Sequence, residues 1–340
     1  MNFKFLSSGD TIYLVAPSFG AASFPYKERL IKSIDFLKKQ NFKIIEGENI
    51  WLDEGIMGSN TPLKRAEEIE KAFKSDADFI WSVGGGETMN EILPYLNLSE
   101  IRKHPKLFMG YSDNTNLSYI LQTFLNFKTI YGPCAGTFYY EDNSLYFKQK
   151  LDILYGKKHF HGYPQYQSQN ASPDPLGNLI YDTPKKITAI NYTKPFSGKL
   201  LGGCLDCLIS LCGTKFDKTK EYFKSQNDII FFFESCDLNV LSYRRAIFQL
   251  KEAGWFDNIN GLIVGRPMHI GENIGNLSFN KSLEDFLKDL NIPILLDVDI
   301  GHLPPTIPLI TNTPCKISFT DDDIYICLLY TSPSPRDGLL

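Results

Sequence analysis

No apolar run in this 340-residue chain reaches the roughly 18 residues of a membrane-spanning helix, which excludes a helical membrane protein. Basic clusters are also missing. Lys and Arg number 35 against 39 Asp and Glu, and the two signs are interspersed, which argues against a nucleic-acid surface. The seven cysteines are odd in number and lack the spacing of a disulfide framework, so reduced thiols in a cytoplasm are expected. Histidines number only five, and none is close to the CxxC at Cys204 and Cys207, so the inventory is too thin for a metal site. The apolar run LGGCLDCLISLCG reads instead as a packed helix in which small cysteines fit. Neither GxGxxG nor GK[ST] occurs, which disfavours a nucleotide-dependent oxidoreductase, and no cofactor is expected. The early stretch TIYLVAPSFGAAS is superficially like a signal peptide. Asp10 precedes it and Pro17 interrupts it, so it reads better as a first buried strand and loop.

What is present is the composition of an ordinary globular enzyme, long enough for two domains. Residues 1–140 alternate strand and helix. TIYLVAPS, FKIIEG, ADFIWSV, KLFMGYS and KTIYGP are strand-like. Between them, Tyr26 to Gln40 carries Leu30, Ile34 and Leu37 at helical spacing, Pro62 opens an amphipathic helix, and Glu87 to Leu96 and DNTNLSYILQTFL read as further helices. This alternation predicts a Rossmann- or flavodoxin-like parallel sheet covered on both faces. Residues 141–195, rich in Tyr, Gln, Asn, Pro and Gly, read as linker and loops. Residues 196–326 read as a second α/β domain with a mixed or barrel-like sheet. Its strands are SGKLLGG, NDIIFFFES, INGLIVGRP and PILLDVDIGH. From Cys327 the text CLLYTSPSPRDGLL resembles a translated sequencing adapter, so residues 327–340 are expected to be an artefactual tail.

Three residues stand at strand ends. Ser112 in GYSD lies where a strand turns into a helix, a position that exposes a nucleophile and that also suits a simple helix cap. Glu234 closes the apolar strand FFFES, where a carboxylate needs a partner, structural or catalytic. His302, followed by Pro304 and Pro305, lies on a rigid loop that suits either a general base or a packed histidine. A serine hydroxyl needs a base, and the base needs an acid to orient it, so Ser…Glu…His forms a candidate triad. The glycine run GGGET after an adjacent strand suits an oxyanion loop.

The chain resembles the LD-carboxypeptidases, a serine peptidase family that includes microcin C immunity peptidases. The resemblance rests on GDTIYLVAPS, GGGETMNEILPYL, PKLFMGYSDNTNL, TIYGP, GKLLGGCLDCL, IIFFFES, GLIVGRP and DIGHLPP, in the family's order over nearly the whole chain. It implies an N-terminal domain carrying the nucleophile, Ser112, and a C-terminal domain carrying the acid, Glu234, and the base, His302. It places oxyanion donors on the backbone of Gly85 or Gly86 and of Asp113, and implies a homodimer without metal. The implied substrate is a small peptide, a murein tetrapeptide losing its terminal D-Ala. A peptidyl-nucleotide toxin is the alternative within the family, and an inactive ligand-binding protein on the same fold is the alternative outside it. The chain departs from the murein-recycling branch in SCDLNVLSYRR after Glu234 and in a glycine loop without tyrosine.

Overall fold

A computed structural model describes residues 3–140, 144–169, 171, 174–320 and 323–329. The first sheet is built from five parallel strands, β1 (Thr11–Val15), β2 (Lys43–Glu46), β3 (Phe79–Ser82), β4 (Leu107–Gly110) and β5 (Thr129–Tyr131). Their order, β2-β1-β3-β4-β5, is the flavodoxin-like one. Helices α1 (Tyr26–Lys39), α2 (Pro62–Lys74), α3 (Leu98–Ile101) and α4 (Thr115–Leu125) connect them. Pro62 occupies the first turn of α2, and the Thr61 side chain accepts a hydrogen bond from the Lys64 N–H, which caps that helix. The helix expected from Glu87 forms as a 3₁₀ segment, Met89–Tyr95, with Pro94 inside it. Proline lacks the N–H that a longer α-helix would need there.

Residues 141–195 hold more regular structure than a linker. Helix α5 (Leu145–Leu154) and strands β6 (His159–His161), β7 (Gln165–Tyr166), β8 (Thr183–Pro184) and β9 (Thr188–Ile190) lie in this stretch. β7 and β8 form a small ribbon, whereas β6 and β9 are the two edges of the second sheet. The aromatic residues that gave the stretch its irregular look, among them Tyr146, Phe147, Phe160 and Tyr163, are buried in the core. Their burial supplies the driving force that the aperiodic sequence conceals.

The second sheet has eight strands in the order β6-β16-β15-β10-β11-β12-β13-β9. Its centre is parallel: β10 (Phe196–Cys204), β11 (Ile229–Glu234), β12 (Ile259–Gly265) and β13 (Ile294–Val298). Helices α6 (Leu205–Leu211), α7 (Thr219–Ser225), α8 (Val240–Glu252) and α9 (Phe279–Leu287) alternate with these strands. CxxC spans a boundary rather than a single helix, because Cys204 ends β10 and Cys207 lies in α6. The short strand β14 (Leu309–Ile310) then crosses to the first sheet and pairs antiparallel with β5. The antiparallel hairpin β15 (Pro314–Thr320) and β16 (Asp323–Leu328) completes the second sheet. Cys327 and Leu328, the first residues of the expected tail, continue β16, and Leu328 is buried opposite Cys315. Residues 330–340 lie outside the described residues. Among the described residues no helix is long and apolar enough to cross a membrane.

Candidate active site

Ser112 follows β4 and opens a 3₁₀ turn, Ser112–Asn114, that leads into α4. Its φ is +60°, a left-handed conformation that costs a non-glycine residue energy and persists only where the surroundings hold it. Those surroundings are polar and specific. The Asn114 amide donates to the Gly84 carbonyl at 2.9 Å and to the Tyr111 carbonyl at 3.0 Å. The Asp113 carboxyl accepts from Ser18 Oγ, from the Met89 N–H at 2.8 Å and from Asn116 Nδ2 at 2.8 Å. Burial pushes the Asp113 carboxyl pKa up, against the lowering effect of these hydrogen bonds. One buried side chain thus ties the Ser112 turn to the loops after β1 and β3.

The glycine loop passes directly over Ser112. A Cβ on Gly85 would lie 3.2 Å from Ser112 Cβ and 3.3 Å from Ser112 Oγ, so a larger residue there would press on the Ser112 side chain. The Phe19 N–H donates to the Gly85 carbonyl at 3.0 Å and holds the loop in place. The backbone N–H groups of Gly85 and Gly86 donate to no acceptor among the described residues. The Asp113 N–H is next in the chain after Ser112.

Glu234 is the last residue of β11, a strand whose six residues are all buried. Each buried phenylalanine there contributes about 1.5–3 kcal/mol. Burying a carboxylate without partners would cost several kcal/mol. Two partners offset that cost. Tyr131 Oη donates to Glu234 Oε1 at 2.5 Å, and His302 Nδ1 is 2.8 Å from Glu234 Oε2. Gly301, at φ +119°, makes room for the pair, because a Cβ there would lie 2.7 Å from Glu234 Oε2. His302 sits in the loop after β13, four residues beyond the end of the strand. Its side chain is 11% exposed and its ring lies 5.0 Å from that of Tyr111. Burial acts to lower the His302 pKa, but the Glu234 carboxylate and the neighbouring Cys236 thiol outweigh it and hold the imidazole well above the usual histidine value.

The structure therefore joins Glu234 to His302 directly and brings Ser112 to them through Tyr131. The Ser112 N–H donates to Tyr131 Oη at 3.4 Å, and the same hydroxyl donates to Glu234. His302 Nε2 is buried and makes no hydrogen bond to Ser112 Oγ, and the Cys236 thiol interacts with the ring. Sequence reasoning missed Tyr131. A tyrosine at the carboxyl end of an apolar strand needs a partner for its hydroxyl, and TIYGP carried that signal. It also missed Cys236, which nothing in the local pattern marks. Two cavities flank the residues. One of about 210 Å³ is lined by His302, Gly85, Arg29 and five tyrosines, Tyr26, Tyr111, Tyr139, Tyr140 and Tyr146. The other, about 90 Å³, contains Ser112, Gly86 and Asp113 in its wall. Among the described residues, no group of three or more His, Cys, Asp or Glu is arranged to hold a metal ion.

A parallel α/β sheet and a second, mixed α/β sheet together bring Ser112, Glu234 and His302 into one region. The family model of the LD-carboxypeptidase N-terminal domain matches residues 12–132, and that of the C-terminal domain matches residues 197–317. The chain belongs to this LD-carboxypeptidase family of peptidases. It is 26% identical over 338 residues to the microcin C7 self-immunity protein MccF of Escherichia coli, covering 96% of each chain. It is 26% identical over 319 residues to the probable murein peptide carboxypeptidase of Bacillus subtilis, covering 89% of this chain and 87% of that one. The fold matches MccF in complex with aspartyl sulfamoyl adenosine at a TM-score of 0.81 and 23% identity, over 96% of this chain and 98% of that one. An MccF-like protein from Bacillus anthracis matches at a TM-score of 0.82 and 20% identity, over 96% and 100%.

Proposed function

We propose that the chain is a serine-type carboxypeptidase that releases the terminal D-Ala of a murein tetrapeptide, with Ser112 as nucleophile, His302 as base and Glu234 as the acid that orients it. The observation that carries this reading is the Glu234–His302 pair. With Nδ1 engaged by Glu234 at 2.8 Å, Nε2 is the ring nitrogen left to act on the Ser112 hydroxyl. In this mechanism Nε2 takes the Ser112 hydroxyl proton as Oγ attacks the scissile carbonyl. Hydrogen bonds between catalytic groups often tighten only when substrate binds. The backbone N–H groups of Gly85 or Gly86 and of Asp113 stabilise the oxyanion. His302 then protonates the leaving amine, and water releases the acyl-enzyme by the reverse steps. The enzyme acts as a cytoplasmic homodimer in this reading, which light scattering of the purified protein tests.

A second reading within the family is cleavage of a peptidyl-nucleotide. The five-tyrosine cavity beside His302 supports it, because aromatic side chains stack on bases. Incubation with murein tetrapeptide and with a peptidyl-adenylate, followed by mass spectrometry, separates the two. Ser112→Ala abolishes release from the true substrate, since loss of a triad member typically costs about 10⁴–10⁶ in rate. A loss of only a few-fold would remove Ser112 as nucleophile.

A further inference from the structure

Tyr131 closes β5 in parallel register with Gly110, just before Ser112. That register sets its ring between the nucleophile's turn and the second sheet. The residue is 3% exposed, and T-shaped contacts with Phe232 at 5.4 Å and Tyr111 at 6.4 Å fix the ring. Its hydroxyl bridges the two halves of the site. It accepts the Ser112 N–H at 3.4 Å and donates to Glu234 Oε1 at 2.5 Å. The first contact is long and weak, whereas the second is a short bond to a carboxylate, a strong kind. The other carboxylate oxygen, Oε2, meets His302 Nδ1 at 2.8 Å. With partners at both oxygens, the Glu234 carboxylate cannot turn without breaking one of these bonds. A phenylalanine would fill the same space, so packing alone does not account for the hydroxyl. Burial, and then the Glu234 charge, hold the Tyr131 phenol well above its usual pKa, so it keeps its proton and remains a donor.

We propose that Tyr131 is a positioning residue that sets how firmly the Glu234–His302 pair holds its proton and ties the Ser112 turn to that pair. The inference rests on the peptidase reading above and concerns the same site. The bond from Tyr131 to Oε1 draws negative charge away from Oε2 and so moderates the pull of Glu234 on the imidazolium. A base acts only when neutral, and a pair that binds its proton too firmly leaves His302 charged. Without the phenol, the carboxylate charge bears on the imidazolium in full, and the pair releases its proton at higher pH. Other titratable groups face the pair without supplying this control. Burial raises the phenols of Tyr111 and Tyr243 and the thiol of Cys236, which stay neutral. The hydrogen bond with Cys207, and then burial, raise Cys204, and burial raises Cys207 against the lowering effect of that same bond. The Glu87 carboxylate acts on His302 from the glycine loop, and burial raises its own pKa.

The test compares two variants that push the pair in opposite directions. Tyr131→Phe is expected to lower kcat about ten-fold or more with KM little changed, the scale of one hydrogen bond to a charged group. The rising limb of its pH–rate profile moves to higher pH, opposite to the move expected of Glu234→Gln. Replacing Tyr131 alone by a ring-fluorinated tyrosine keeps the shape and the hydroxyl but strengthens the donor, and the limb moves to lower pH. NMR titration of the His302 imidazole, assigned by its absence in His302→Ala, follows both shifts without substrate. A tyrosine with only a structural role would lower the melting temperature and leave limb and titration in place. That result in both variants, or shifts of the opposite sense, would overturn the proposal. If the titration moves as stated while neither the murein tetrapeptide nor the peptidyl-adenylate is cleaved, the assigned reaction fails and the positioning of the pair stands.

Discussion

Replacing Glu234 by glutamine tests whether this buried acid orients His302 or only fills a structural role. The carboxylate accepts two hydrogen bonds, from Tyr131 Oη at 2.5 Å and at His302 Nδ1 at 2.8 Å. Glutamine is nearly isosteric but keeps a single acceptor and gains two donors. If its oxygen faces His302, its amide faces Tyr131, whose hydroxyl can turn to accept. If the amide faces His302, Nδ1 becomes an acceptor and the proton moves to Nε2, where a base must have none. Either way the imidazolium loses its counter-charge. The expected loss is about 10⁴ in kcat, the scale seen when a triad acid becomes its amide. Stability falls much less. Glutamine still fills the volume and keeps hydrogen bonds, so the cost is about 1–2 kcal/mol, against roughly 3–5 kcal/mol for stripping one partner from a buried pair. The melting temperature drops by a few degrees. The assay is kcat/KM for Glu234→Gln, His302→Ala and the double variant, with thermal melts of each. Residues acting as one unit are strongly non-additive, so the double variant is expected to be little worse than either single one. Fully additive losses, or a collapsed melt with activity per folded molecule intact, would refute the pairing.

Two further outcomes follow from the same geometry. Gly85→Ala places a methyl group 3.2 Å from Ser112 Cβ and 3.3 Å from its Oγ, so turnover is expected to fall at least ten-fold (roughly 1.4 kcal/mol) while the melt moves little. Wild-type kcat/KM with an unchanged melt would show that the loop does not crowd the hydroxyl. The pH–rate profile carries the other. His302 acts as base only when neutral, and its pKa lies well above the usual value, because the Glu234 carboxylate overcomes the lowering effect of burial. Activity is therefore expected to rise with pH through a limb above about 6.5, the ordinary histidine value. That limb shifts to lower pH in Glu234→Gln, and a limb that stays put would disconnect it from His302.

Much of the architecture is legible in the chain's local patterns. Apolar runs such as TIYLV and IIFFF are strands, and Leu30, Ile34 and Leu37 mark the buried stripe of α1. These signals are local: side-chain period and the punctuation of glycine and proline act over a few residues. Strand ends are legible for the same reason, and Ser112, Glu234 and His302 stand at or just past them. What the sequence alone leaves out is everything made between distant residues. The edge strands β6 and β9 are three residues long, too short for a period to mark them, and they pair at the two rims of the second sheet. Strand β14 joins the first sheet through antiparallel pairing with β5, far earlier in the chain. Tyr131 reaches Glu234 across 103 positions and His302 reaches it across 68. The cavity beside Ser112 draws Glu87, Asp206 and Asp237 from three separate loops and helix starts. No periodicity encodes such meetings. Residue type and spacing determined which groups were available and where along their elements they stood. The packing of two sheets, driven by the burial of their apolar faces, decided which of those groups would share one site.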